Sequence, residues 1–309
     1  MTMTKRPLYQ LGINHHLLFA EGMVDDHIHE QTLAELLTWP EFAVVDVYCA
    51  GSPAQQTREA ARIRASGKTA IYNLPLLATL PGCDPNAIDP ATIARTRAAV
   101  LPHLDAAALA GATFNNIASG GNPVPELRDQ AWEGWLDFLA WFGCEVAKRG
   151  MEVVIEPFDY SIGKNLLIGP TSDARRSVEV MRARGVDNVL LMVDMGHLPI
   201  MGESFAHALT LSAPYLRHIH LGNAIIHNPA HPWFGDWHPP LGLPEGEHDV
   251  PELANFLAEL QAVGYFNNPQ ASLTMEMRPY PGMDSRRSVD RWLQKLNDAW
   301  LRVEEMQVL

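Results

Sequence analysis

The sequence predicts a (β/α)8 barrel of the α/β class, and three observations carry that expectation. Short apolar runs alternate with longer amphipathic segments along all 309 residues. Neither a linker nor a shift in composition interrupts the alternation, so residues 1–309 are expected to form a single barrel domain. Several apolar runs end on one acidic or histidine side chain, as the strands of barrel enzymes do where they deliver functional groups at their C-terminal ends. A doubly wound sheet is the alternative. It lacks support because no GxGxxG follows the first strand, Gly67-Lys68-Thr69 leads from helix into strand rather than forming a P-loop, and no GxSxG elbow is present.

Leu8–Asn14 reads as the first strand, and a helical stretch over Asp26–Trp39 stops at Pro40. Ala43–Tyr48 is the second strand. Ser52-Pro53-Ala54-Gln55 has the form of a capping box with Pro at the first helical position, and the helix it opens runs to Gly67. Thr69–Leu74 is the third strand, closed by Pro75. Asp89-Pro90 opens the next helix, with a break expected at Pro102 and an end at Gly111. Thr113–Ile117 is the fourth strand, followed by the turn Gly120-Gly121-Asn122-Pro123. The amphipathic segment Glu126–Arg149 stops at Gly150, and Glu152–Glu156 follows at once as the fifth strand. Thr171 or Ser172 is expected to cap a helix ending near Gly185. Val189–Asp194 is the sixth strand, Ser204–Leu211 a shorter helix and Arg217–Leu221 the seventh strand. Residues 222–248 have no periodicity and are rich in His, Pro, Trp and Gly, and a loop that long in a compact domain is more often functional than idle. Asp249 and Pro251 open a helix ending near Gly264, Ala271–Met277 is the eighth strand, and Asp284–Glu305 is the closing helix.

Composition narrows the function. With 47% hydrophobic and 19% charged residues the chain is ordinary globular protein. A formal charge of −13 argues against a nucleic-acid groove, which relies on clustered Lys and Arg. No apolar stretch approaches the span of a bilayer, and the charged start Met1 to Pro7 has no apolar run behind it, so neither a membrane partner nor a secretory signal is expected. Cys49, Cys83 and Cys144 are odd in number, far apart and without a CxxC pair, which suits free thiols in a cytoplasmic protein.

Four strand ends carry the candidate site: Val153-Val154-Ile155-Glu156, Leu190-Leu191-Met192-Val193-Asp194, Arg217-His218-Ile219-His220 and Leu273-Thr274-Met275-Glu276. The period of two puts His218 and His220 on one face, with His220 in the upper layer and His218 beneath it as packing or support. Three carboxylates around one imidazole repel one another in a partly dry barrel mouth unless a cation is present. Glu156, Asp194, His220 and Glu276 are therefore the expected metal ligands, an oxygen-rich set suited to Mn²⁺, Mg²⁺ or Co²⁺ and compatible with Zn²⁺. Arg278, two residues beyond Glu276, and Lys164 in Gly163-Lys164-Asn165 are candidates to bind substrate. His15 and His16 end the first strand and either reach substrate or pack, and Trp233, Phe234 and Trp237 form either an apolar lid or a subunit contact.

These residues resemble the xylose isomerase-like barrel family, which includes sugar phosphate isomerases, epimerases and AP-endonuclease family 2 enzymes, and the likeness spans nearly the whole chain. Its motifs appear as Glu156-Pro157 after strand five, Asp194-Met195-Gly196-His197 after strand six, His218-Ile219-His220 in strand seven, and, more loosely, the Gly242–Glu247 lead into the next helix. In the ketose 3-epimerase branch the resemblance implies that Glu156 and Glu276 exchange a proton on opposite faces of the substrate while His197 contacts a substrate oxygen. That branch carries a Glu six residues after the first ligand and an Arg six after the histidine ligand. Here Ile162 and Ile226 stand in those places, so contacts to the sugar tail must differ. In the endonuclease branch the site is trinuclear, and Asp236-Trp237-His238 resembles its Asp-x-His element. The histidines of that branch on strands three and four are replaced by Tyr72-Asn73 and Asn115-Asn116, which disfavours a DNA-repair role and leaves Asp236 and His238 for substrate binding or proton transfer. A dimer or tetramer is what the family implies.

The expected activity is thus that of a divalent-metal-dependent isomerase or epimerase of a small sugar or sugar acid, working by proton abstraction alpha to a carbonyl through an enediolate. The alternatives are a lyase, dehydratase or decarboxylase on an oxidised sugar, which share that intermediate, and a non-catalytic sugar-binding barrel.

Overall fold

The computed structural model describes residues 6–306. Residues 1–5, part of the stretch in which no secretory signal is expected, and residues 307–309 lie outside the described residues. Eight parallel strands close a barrel in chain order: β1 (Gln10–Asn14), β2 (Val44–Val47), β3 (Thr69–Asn73), β4 (Phe114–Ile117), β5 (Glu152–Ile155), β6 (Val189–Asp194), β7 (Leu216–Leu221) and β8 (Ser272–Met275). β8 pairs back onto β1, with Leu11 opposite Leu273, so the sheet is closed and not doubly wound. The α-helices between and around the strands are α1 (His15–Leu18), α2 (Asp26–Leu36), α3 (Pro53–Ser66), α4 (Pro90–Ala110), α5 (Arg128–Ala147), α6 (Thr171–Ala183), α7 (His197–Met201), α8 (Phe205–Ser212), α9 (Val250–Ala262) and α10 (Ser285–Met306). Among the described residues no helix is long and apolar enough to cross a membrane.

The period of two along each strand sets the interior. Val44, Ile71, Phe114, Val154, Leu190 and Met192 form an apolar plug within the barrel. Two residues further along the same strands the sequence places Asp46, Asn73, Asn116, Glu156 and Asp194, all buried. The barrel is therefore apolar at its base and polar at its C-terminal mouth, while the outward faces and the helices bury one large apolar core that includes Trp135, Trp292 and Trp300. Gly12 matters to this layer. It lies opposite Thr274, and a Cβ there would overlap the Thr274 side chain, whose hydroxyl donates to Asp46 Oδ1 at 3.1 Å.

Several expectations are corrected. α4 runs unbroken through Pro102, because Val100, Leu104 and Ala107 bury a continuous face on both sides of it. α7 was not expected: five residues are too few to show a period, and Gly202 ends it with a φ of 70°. Thr171 is the first residue of α6 rather than its cap, which is Pro170. The carboxylate of Glu203 caps it instead, accepting from Thr171 N at 3.1 Å and from its hydroxyl at 2.5 Å, where negative charge favours the helix dipole. Ser52 does cap α3, its Oγ accepting from Gln55 N at 3.3 Å, but the Gln55 amide turns to Asp26 O and Glu59, so the box is only half made.

The aperiodic stretch after β7 is pinned rather than loose. Buried Asn223 accepts from His248 N at 2.9 Å and donates to Pro240 O at 3.2 Å, and Gly235 N donates to Ile225 O at 2.7 Å. These bonds hold the two ends of the loop together and fix the segment that carries Asp236 and His238.

Candidate metal centre

Glu156 directly follows β5, Asp194 closes β6, His220 lies in β7 and Glu276 directly follows β8. All four are buried, and one donor atom from each lies within 4.8 Å of the others. Each residue is also tied off on its outer side. Glu156 Oε2 accepts from Asn116 Nδ2 at 2.6 Å, Glu276 Oε1 from Asn14 Nδ2 at 2.7 Å, and Asp194 Oδ1 from Gly196 N at 2.6 Å. His220 Nε2 lies 2.8 Å from Asp46 Oδ2.

The inward atoms are what remain. Asp194 Oδ2, His220 Nδ1 and Glu276 Oε2 are buried without a hydrogen-bond partner, and Nδ1 faces Glu276 Oε2 directly. Glu156 Oε1 lies 3.6 Å from the same nitrogen, and Asp194 Oδ2 4.0 Å. Unpartnered polar atoms at such a depth are costly in a native protein, and three carboxylate oxygens converging on one lone-pair nitrogen fit a divalent cation. Asp46 adds to this fit. By accepting from Nε2–H of His220 it selects the tautomer of the neutral ring in which Nδ1 offers its lone pair, the form a metal needs.

The charges show the same crowding. Burial pushes Asp194 up to about 7, with His197 opposing and Glu276 adding. Burial also opposes charge on His220, but Glu276, Asp46 and Glu156 outweigh it and hold the imidazole well above the usual histidine range. Glu156 moves the other way, to about 2, because the hydrogen bond and charge of His220, with His197 and Asn116, overcome the effect of burial. So divided a set of carboxylates is short of positive charge.

A second set lies beside the first. Asp194, His197 and His238 also converge closely enough to hold an ion. Asp236 Oδ1 stands between the two histidines, 3.2 Å from His197 Nε2 and 2.7 Å from His238 Nε2. Burial raises the Asp236 carboxyl, but the charges and hydrogen bonds of His238 and His197 hold it well below the ordinary range. Asp46, His218 and His220 form a third group, in which both Nε2 atoms lie 2.8 Å from Asp46 Oδ2, so hydrogen bonds fill that space. His218 also meets Ser272 Oγ at 3.0 Å, in the supporting position expected of it.

A cavity of about 580 Å³ opens above the four residues, and Glu156, Glu276, Lys164, Asp236, His238 and Arg278 all line it. His197 does not. Its Nδ1 lies 3.1 Å from Pro157 O and its Nε2 faces Asp236 and, at 3.6 Å, Asp194. Lys164 is aimed by Asp159, whose carboxylate accepts from four successive backbone N–H groups including Lys164 N, and its Nζ lies 3.2 Å from Asp236 Oδ2. His16 lines the cavity as a neutral ring, its pKa pushed down to about 3 by burial with His220 and His238 adding, whereas His15 turns away to Thr32. Of the three aromatic candidates only Trp237 lines the cavity. Asn14, Asn116 and Asp46 were not singled out in the sequence. Asp46 left a signal there, a carboxylate inside the otherwise apolar run Val44–Val47.

Residues 35–296 match the family model described as xylose isomerase-like TIM barrel. Among solved structures, an L-ribulose 3-epimerase is 16% identical over 97% of this chain and 98% of its own, with a TM-score of 0.68. A 3-keto-D-glucoside 4-epimerase from E. coli is 16% identical over 96% and 99%, at 0.65. A D-psicose 3-epimerase from Clostridium cellulolyticum H10 is 17% identical over 96% and 98%, at 0.62. At these identities the likeness speaks for the fold. No curated protein matches the chain in sequence.

Proposed function

This chain belongs to the xylose isomerase-like TIM barrel family, and from that premise we propose that it is a divalent-metal-dependent isomerase or epimerase of a small sugar or sugar acid. One observation carries the reading: four buried side chains converge, each held from outside by a hydrogen bond, with one donor atom of each close to those of the others. Glu156, Asp194, His220 and Glu276 would hold the cation. Bound there, it supplies Lewis acidity that makes the C–H beside a substrate carbonyl acidic.

The protein's own groups do the rest. Glu156 and Glu276 both border the cavity and follow β5 and β8, which stand well apart around the barrel. Either inward oxygen can take the proton at the carbon next to the carbonyl, leaving an enediolate, and the other carboxylate or a water returns it. Asn116 and Asn14 aim the two glutamates by holding their outer oxygens. Lys164, Asp236, His238 and Arg278 would contact substrate oxygens, and His197 would steady Asp236 and Asp194 from behind. The three epimerases similar in fold support this reaction class.

The test is solvent exchange. Metal-loaded protein incubated with a panel of ketoses and keto-acids in D2O is expected to place deuterium on the carbon beside the carbonyl with the carbon skeleton intact. Glu276→Gln is expected to lower that exchange at least a hundredfold, the usual weight of a general base. Loss of water or CO2 would mark a lyase instead, and no exchange on any substrate would overturn the proposal.

A further inference from the structure

The cavity of about 580 Å³ is larger than one sugar ring fills, and its lining is polar in one part and apolar in another. At the floor stand Asn116, Glu156 and Glu276 with Asn73, the last residue of β3. Directly after Asn73 come Leu74, Pro75 and Leu76, and Leu17, Met23 and Trp237 line the cavity with them. Met23 and Trp237 leave 52% and 47% of their surface in water, unusual for large apolar groups at the mouth of a cavity.

The backbone that carries Trp237 is held by Arg278. Arg278 Nε donates to Trp237 O at 3.0 Å, its guanidinium carbon lies 5.2 Å from the centre of the indole, and Arg278 N donates to His238 O at 2.9 Å. On the other side Asp236 is held by Lys164, His197 and His238. The Arg278 Nε is taken by the Trp237 carbonyl, and its guanidinium lies beside the indole. An indole whose backbone is held in this way, half in water, offers a flat apolar surface to a substrate group. Leu74, Pro75, Leu76, Leu17 and Met23 offer a substrate no side-chain hydrogen bond on that part of the lining, and Ile162 and Ile226 do not line the cavity at all.

We infer that the substrate is a sugar bearing a planar apolar substituent, its sugar on the polar floor and its substituent on Trp237, a specificity-determining residue positioned by Arg278. This rests on the proposed reaction at the floor. It is tested by calorimetric titration of the metal-loaded full chain with matched methyl and phenyl β-glycosides of glucose, galactose and xylose. In at least one pair the phenyl glycoside is expected to bind about tenfold more tightly. Trp237→Ala should erase that difference with its metal content unchanged, while Trp237→Phe should keep most of it. Equal affinity within every pair, failure of every glycoside to bind, or a phenyl preference that survives in Trp237→Ala overturns the inference. The two readings fail separately: deuterium exchange on free ketoses without a phenyl preference sinks only the substituent, and a phenyl preference in protein that holds no metal sinks only the reaction.

Discussion

Asp46 is the residue on which the geometry of the centre turns. One carboxylate oxygen meets the Nε2 of both His218 and His220, and the other accepts from Thr274. Its acidity is set by that company: burial pushes the carboxyl up, but the charges and hydrogen bonds of the two histidines hold it well below the usual carboxylate range. Asp46→Asn would weaken its hold on the two rings and on the His220 tautomer, so metal affinity should fall about 10- to 100-fold in a metal titration while the circular dichroism of the fold persists. Unchanged affinity would remove Asp46 from this role. His15 allows a separate prediction. Burial, with His29 and His16 adding, holds it well below an ordinary histidine, whose pKa is about 6.5. As pH falls through about 6.5 the unfolded chain takes up a proton that the folded state refuses, so this contribution to stability is lost toward acid. Urea unfolding at about pH 7.5 and about pH 5.5 should show lower stability in acid, and a smaller loss in His15→Gln; the same loss in both proteins contradicts it. At this scale the four converging side chains are legible because Glu156, Asp194, His220 and Glu276 each stand at the end of a predicted strand. Asn14 and Asn116 are not, since asparagine at a strand end is equally at home in a turn, and only the fold brings each to its glutamate.

At the scale of elements, strands and long helices read well because each repeats its period several times. β6 spans Val189–Asp194 as expected, and α10 differs from its expected bounds by one residue at each end. What escaped was local and decided by distant partners. Nothing near Thr171 announces that Glu203 will cap α6, and α7 is too short to declare itself although His197 within it was already a candidate. Pro102 is a candidate helix break by residue type alone, and burial of the flanking face overrides it. The cap on α3 is a simpler case, since Ser52 Oγ serves one backbone N–H there. Ser52→Ala should cost about 1 kcal/mol in chemical denaturation. A change below a few tenths would show that the cap contributes nothing.

For the whole molecule, the closed barrel is the device that turns four separate strand ends into one site. In sequence Glu156 and Glu276 stand far apart, yet the closed order from β1 to β8 brings both to one cavity with Asp194 and His220 between their strands. The barrel is legible because alternation runs the length of the chain; the apolar part of the cavity lining is not, because Leu17, Met23 and Leu76 lie in short segments whose positions no periodicity sets. The most direct measurement is the metal content of the protein as purified, beside His220→Ala and Glu276→Gln. A stoichiometric divalent ion in the wild type and its loss from both variants is the expected result. Metal content that is the same in all three would contradict the centre described here.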